Sequence, residues 1–349
     1  MINTAIYPVD PQSLQAAARL LSAGQIVAIP TETVYGLAGH ALNEQALARI
    51  FAVKARPHFD PLIVHLAQQR ARSLAELEAA ELIQTAELSL PLQKALDRLI
   101  QAFWPGPLTL VLPRHARIPE LVTAGLPTVA LRVPAHPAAQ ALLAQSFPLA
   151  APSANRFGRI SPTTAAAVYA ELQGRIPLIL DGGPCEIGLE STVLGLESEQ
   201  LVLLRPGQLS QAQLSQVAGL PVSLAQSHPA EVKAPGMLKS HYAPERSLQL
   251  FHAPSDLTAH MRSGQRAGVL FLSPPPAETQ ALLAAHQAQW LALSATGDLS
   301  EVAHHLFARL RELDSLDVDY LLAEQPAEAQ SGLGFAILDR LSKAAARKT

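Results

Sequence analysis

Two short apolar runs, QIVAIPT (25–31) and LIVHL (62–66), bracket a segment of helical pattern, and this strand–helix–strand unit restricts the chain to folds that contain a sheet. The first run empties into PTETVYGL (30–37), and the second follows KARPHFDP (54–61). Asn43 caps the spacer helix, whose apolar face is Leu47, Ile50 and Phe51. Pro57 ends that helix, because a proline disfavours the helical conformation at the residue before it. Lys54 and Arg56 are therefore left together at the helix exit. Lys54 and Lys94 are the only lysines before residue 233, so a lysine here is not part of a generally basic surface. Two readings stand side by side: a phosphate clamp, in which an arginine fork and a mobile ammonium hold an anion, or cations that complement a helix C-terminus.

The remaining elements follow from local signals. Asp10-Pro11 reads as an N-cap with proline at the first helical position, and Gly24 as the closing cap. Residues 67–102 read as helices, 103–113 as a turn and strand, 128–134 as a strand, and 137–146 as a short helix. PLAAPSAN (148–155) is a strand running into a loop, and Ser161-Pro162 caps a helix over 163–173. LILDGG (178–183), STVLGL (191–196) and LVLLRPG (201–207) are three more strands. Short strands with few intervening helices predict a twisted mixed α/β sheet. From about residue 219 periodicity fades among Pro, Ser, His and Lys, and beyond it strands and helices alternate as in a small parallel-sheet domain. The expected division is 1–215, a linker over 216–246, and 247–349.

With 349 residues and 49% hydrophobic content the chain can bury two cores. A net charge of −3 gives no global field for nucleic acid, so any RNA contact would be local and weak. Cys185 is the lone cysteine, which excludes disulfides and Cys-based zinc. MINTAIYPVDPQ lacks the pattern of a signal peptide, and no run is apolar enough to span a bilayer. A soluble cytoplasmic protein with no membrane partner is expected.

Arg132 is the single charge inside TVALRVP. A buried guanidinium needs a partner. No acid is near in sequence, so a carboxylate or phosphate ligand is favoured over a distant Glu or Asp. APSANRFGRISPT (151–163) places small polar groups in a loop before a helix, where backbone N–H groups and hydroxyls can meet phosphates. A turn with a cap at Ser161 explains part of that loop but requires neither Ser153 nor Asn155. His65 is read as a satisfied core histidine, His304-His305 as a solvated helix edge, and Cys185 as an inert thiol. Gly182-Gly183 suits a tight turn or a ligand approach equally, and Gly332-x-Gly334 a tight turn.

Taken in order, PTETVYGL, K-x-R-P-x-x-x-P-L-x-x-H, FWPGPLTLVL, A-x-R-x-P, APSAN, SPT, DGG, STV, LRPG and PGMLKSHYAP resemble the threonylcarbamoyl-AMP synthase family over nearly the whole chain. The resemblance implies a YrdC-like catalytic domain followed by a smaller Rossmann-like parallel-sheet domain, joined by a linker that folds over the active site. It implies that L-threonine, bicarbonate and ATP yield threonylcarbamoyl-AMP and pyrophosphate, with a separate transferase complex then modifying the tRNA adenosine beside the anticodon. Lys54, Arg56, Ser153 and Asn155 match the family's characteristic tetrad. Thr33, His65, Arg132 and Ser191, with the main chain at Ala151, would hold threonine. ATP would contact Lys54, Arg56, Asp60, Thr128, Ala151, Ser153, Asn155, Ser161, Arg205 and Tyr242, and Mg²⁺ would bridge its phosphates. Asp60 stands where many relatives have asparagine, Phe157 replaces a small polar residue, and STVLGL lacks a following aspartate. A carbamoyl-transfer module of the hydrogenase-maturation type is disfavoured by the single cysteine. A non-catalytic RNA binder is disfavoured by the charge.

Overall fold

The structure, a computed structural model, describes residues 2–225, 241–327 and 331–346. It divides into two compact units. The first comprises Met1–Phe157, Pro162–Glu186 and Glu190–Met237, and the second Gly158–Ser161, Ile187–Leu189 and Leu238–Thr349.

The first unit is built on eleven strands: β1 (Ala5–Pro8), β2 (Val27–Ile29), β3 (Gly36–His40), β4 (Ile63–His65), β5 (Leu108–Pro113), β6 (Thr128–Arg132), β7 (Leu149–Ala150), β8 (Leu178–Asp181), β9 (Thr192–Glu197), β10 (Gln200–Arg205) and β11 (Val222–Leu224). They lie in the order β1-β8-β2-β3-β7-β4-β6-β5-β9-β10-β11, with parallel pairs such as β4·β6 and β5·β9 and antiparallel pairs such as β3·β7 and β5·β6. The expected mixed sheet is therefore present.

The spacer helix is Glu44–Lys54, capped by Asn43, whose side chain accepts from Ala46 N. Leu47, Ile50 and Phe51 are buried against Leu37 and Val64 as the apolar spacing requires. Each such side chain contributes about 1.5–3 kcal/mol on burial. Ala55 closes the helix in the left-handed conformation, φ 51°, and turns the chain into Arg56. The helix Pro11–Ser22 starts with a reciprocal cap: Ser13 N donates to Asp10 at 2.7 Å and Asp10 N to Ser13 Oγ at 3.0 Å.

Several elements differ from the sequence pattern. The helix expected over 163–173 is Ala165–Leu172, and its cap is Thr164, which accepts from Ala167 N, rather than Ser161. The carbonyls of Pro162 and Thr163 are kept from a helix by other donors, Tyr35 N to Pro162 O and Cys185 N to Thr163 O. β1, β3 and β11 are strands that the pattern missed. Residues 216–224, placed in the linker, complete the helix Gln211–Ala218 and add β11 beside β10. Of the remaining linker, 226–240 lie outside the described residues, as does most of PGMLKSHYAP.

The second unit carries β12 (Leu248–Phe251), β13 (Ala267–Phe271), β14 (Gln289–Ala292) and β15 (Tyr320–Glu324), all parallel, in the order β12-β15-β13-β14. β13 is buried at every position, and Phe251, Phe271, Tyr320 and Leu322 form the core. His304 and His305 are half-buried, not solvated, and His305 Nδ1 lies 2.8 Å from Leu293 O. The helix Gly332–Ala345 begins at a left-handed Gly332, consistent with a turn. No helix among the described residues is long and apolar enough to cross a membrane.

Candidate functional site

β4 organises the candidate site. Lys54, Arg56 and Asp60 precede it, and His65 ends it. Its parallel neighbour β6 sets Arg132 beside His65 and Ala130 beside Ile63. Thr128 therefore lies about 13 Å up β6 from Arg132, at the end facing the residues that precede β4. On the other side Ala150 of β7 pairs with Val64, and Ala151 N donates to Ile63 O at 2.9 Å. The loop 151–155 thus leaves the sheet between the two groups.

Lys54 is almost wholly buried, and its ammonium donates to the carbonyls of Ser153 and Asn155. Burial, and then the charge of Arg56, push its pKa well below the usual lysine value. Arg56 donates through Nε to Asp60 O at 3.1 Å and through Nη2 to Pro61 O at 2.8 Å, and Nη2 lies 2.8 Å from Asp60 Oδ2. That last contact is an ion pair without hydrogen-bond alignment, because both carboxylate oxygens of Asp60 are buried without a donor. Burial pushes the Asp60 pKa up, while Arg56, Lys54 and Arg205 pull it down by less. Asn155 is buried and its Nδ2 donates to Arg156 O at 2.7 Å.

The second group is centred on one ion pair. Arg132 donates through Nε to Gly106 O at 3.2 Å, through Nη1 to Thr33 Oγ1 at 2.8 Å, and through Nη2 to Glu32 Oε1 at 2.7 Å. The distant acid, judged the weaker explanation from sequence, is the one the fold supplies. Its register could not be read locally, since 100 positions separate the partners. Gly106 must be glycine here, because an added Cβ would lie 2.5 Å from Phe103 O. His65 is buried with Nδ1 3.2 Å from Ile63 O, and burial followed by Arg132 pushes its pKa down to about 3. Ser191 Oγ lies 2.7 Å from Thr109 Oγ1 and accepts from Arg205 Nη2 at 3.0 Å, while Arg205 also donates twice to Ser191 O.

The fold therefore gathers Thr33, His65, Arg132 and Ser191 at one end, and Lys54, Arg56, Asp60, Ser153 and Asn155 around the start of β4, where Ala151, expected with the first set, bonds Ile63. Arg205, expected at the nucleotide, bonds Ser191. Ser161 and Tyr242 belong to the second unit. There Tyr242, with φ 64°, packs against His241, Phe307 and the guanidinium of Arg340. Cys185 is buried and its thiol is pushed up to about 12, as an inert thiol should be. Gly183, at φ 83°, closes a turn in which its N–H donates to Asp181 and its carbonyl accepts from Tyr35. The sequence pattern missed Glu32, Gly106 and Thr109. Glu32 stands inside PTETVYGL beside Thr33, and Thr109 is the lone hydroxyl in LTLVL.

Residues 19–207 match the family described as Telomere recombination, and residues 209–346 the one described as Threonylcarbamoyl-AMP synthase, C-terminal domain. The chain belongs to the threonylcarbamoyl-AMP synthase family. The threonylcarbamoyl-AMP synthases of Pyrococcus abyssi and Bacillus subtilis are each 39% identical to it. The matches cover 96% of this chain in both cases, and 95% and 93% of those proteins respectively. The fold likewise matches the crystal structure of P. abyssi Sua5 complexed with L-threonine, at a TM-score of 0.83 and 37% identity. That match covers 99% of this chain and 97% of that one.

Proposed function

We propose that this chain is an L-threonylcarbamoyladenylate synthase, a nucleotidyltransferase that condenses L-threonine, bicarbonate and ATP to threonylcarbamoyl-AMP and pyrophosphate. The observation that carries this reading is the arrangement about β4, where one short strand separates a cationic group from an arginine-centred polar group, with the 151–155 loop leaving between them. Family membership, and a P. abyssi relative complexed with L-threonine, support threonine as a ligand of this fold.

Arg132 would pair the threonine carboxylate. Three of its five N–H groups are used by Gly106, Thr33 and Glu32, which leaves one on each terminal nitrogen. His65, neutral near pH 7, adds no competing charge. The threonine amine takes up carbon from bicarbonate with loss of water, and the carbamate oxygen then attacks the α-phosphorus of ATP in line as pyrophosphate leaves. Positioning and charge neutralisation carry most of such a transfer. Lys54 and Arg56 would supply both, with Ser153, Asn155, Thr128 and Arg205 completing the nucleotide contacts of the first unit. Phosphate would also restore the charged form of Lys54 that burial disfavours.

Mg²⁺ would arrive on the ATP phosphates. The donorless carboxylate oxygens of Asp60, beside Lys54 and Arg56, fit a cation there, and the ion would offset the repulsion between that carboxylate and the phosphates. The product would pass to a separate tRNA-modifying transferase complex in the cytoplasm. Purified protein with ATP, threonine and bicarbonate should release pyrophosphate in a threonine-dependent manner and accumulate the acyl-adenylate. Pyrophosphate release indifferent to threonine would refute the assignment.

A further inference from the structure

Glu32 lies between Thr31 and Thr33 and has no part in the roles above beyond its contact with Arg132. Its side chain is 5% exposed. Oε1 is occupied by Arg132, but Oε2 is buried and receives no hydrogen bond. A counter-ion for Arg132 needs one oxygen, and leaving the other dry forfeits the full solvation of an anionic acceptor. The neighbouring hydroxyls show the same bias. Thr31 Oγ1 donates its single proton to Val34 O at 2.7 Å and accepts from the backbone N–H groups of Thr33 and Val34 at 3.2 Å, so it gives no proton to Thr33 Oγ1, which lies 2.8 Å away. Thr33 Oγ1 accepts from Arg132 Nη1 and keeps a second lone pair to offer.

The two terminal nitrogens of Arg132 are therefore flanked by two acceptors, Glu32 and Thr33, and each nitrogen keeps one N–H. A carboxylate satisfies the N–H groups, and an ammonium satisfies the acceptors. The complement of this arrangement is an α-amino acid zwitterion in a fixed orientation. We propose that Glu32 is the amino-group receptor of the site: Oε2 binds the α-ammonium of the amino-acid substrate and takes its proton before carboxylation.

The chemistry rests on the function proposed above and balances. An N–H bond of the ammonium breaks and an O–H bond forms on Glu32. The freed amine and bicarbonate then give the carbamate and water. Arg132 keeps the substrate carboxylate as counter-ion once Glu32 is neutral. The ionisable groups that act on Glu32 are Arg132 on β6, His136 before the helix Pro137–Ala144, and Cys185 after β8. Burial pushes the His136 imidazole down and the Cys185 thiol up, so neither brings a charge near neutrality.

Calorimetry with L-threonine and with 3-hydroxybutyrate, the same carbon chain without the amine, tests the receptor with no turnover. The unmodified protein should prefer threonine by about 100-fold or more, and Glu32→Gln should lose most of that preference. Equal binding of the two ligands by the unmodified protein, or undiminished preference in Glu32→Gln, would overturn the proposal. In the synthesis assay the deficit of Glu32→Gln should shrink about tenfold between pH 7 and about 9.5, as solution supplies free amine. A deficit constant with pH would remove the proton-accepting role and leave a counter-ion. A protein that shows the binding preference but releases no pyrophosphate would overturn the proposed function while leaving the receptor intact.

Discussion

Two buried arginines, each facing one acid, behave differently. Arg56 and Asp60 are four residues apart, and the turn between them brings their charges to 2.8 Å without hydrogen-bond alignment. Arg132 and Glu32 come from opposite parts of the sheet and make an aligned bond at 2.7 Å, with Thr33 and Gly106 filling further directions of the guanidinium. The local pair leaves its acid short of donors, its pKa raised by burial, and open to another cation. The non-local pair is built to hold one guanidinium still. On the function proposed above, the first arrangement would meet a charged ligand that brings its own metal, and the second a small zwitterion whose orientation must be fixed.

The comparison is most easily broken at Arg132. Arg132→Ala strands Glu32 as an uncompensated buried charge and should cost about 3–5 kcal/mol in denaturant unfolding. It should also weaken threonine binding far more than ATP binding, and equal losses would refute the assignment of that end to the amino acid. Arg56→Ala should cost less, about 1–3 kcal/mol, because Asp60 is already biased toward its neutral form and can take a proton. A cost equal to that of Arg132→Ala would erase the distinction.

His65 sharpens the comparison through pH. Its folded pKa, about 3, lies below the ordinary value of 6.5, so the unfolded chain binds the extra proton, and stability is lost as pH falls from about 6.5 toward 3. Between pH 7 and 5 this amounts to about 2 kcal/mol. The unfolding free energy of His65→Gln should therefore fall by that much less over the same interval.

Asp60 has the opposite sign. Its folded pKa is raised, so it disfavours the folded state as pH climbs from its unfolded value through the folded one. Asp60→Asn should be no less stable than the unmodified protein at pH 7, and should lose that advantage near pH 4. Thr164→Ala, which removes the observed cap, should cost about 1 kcal/mol in thermal unfolding.

The same contrast explains what the sequence disclosed. Asn43, Pro57 and the apolar spacing of Leu47, Ile50 and Phe51 act within one turn, so the spacer helix and the position of Lys54 and Arg56 were legible. The partner of Arg132 was not, because only the sheet brings it near Glu32. Ser161-Pro162 is a good local cap signal, but bonds from Tyr35 and Cys185 engage the carbonyls of Pro162 and Thr163, and the cap moves to Thr164. β3, GLAGH, has no β-branched residue and is a strand because β2 and β7 pair with it. β11 was hidden in a Pro- and Ser-rich stretch and gains its conformation from β10.

β7 has two residues, yet Ala150 pairs with Gly39 on one side and Val64 on the other. A ladder so short cannot slip by one position and still keep either neighbour. A slip would also reverse every side chain beyond it, exchanging Ser153 for Pro152 or Ala154. Chain length between Leu149 and Asn155 is thus as constrained as the identity of its residues. Insertions tolerated elsewhere on the surface should be rejected here, even if built from glycine.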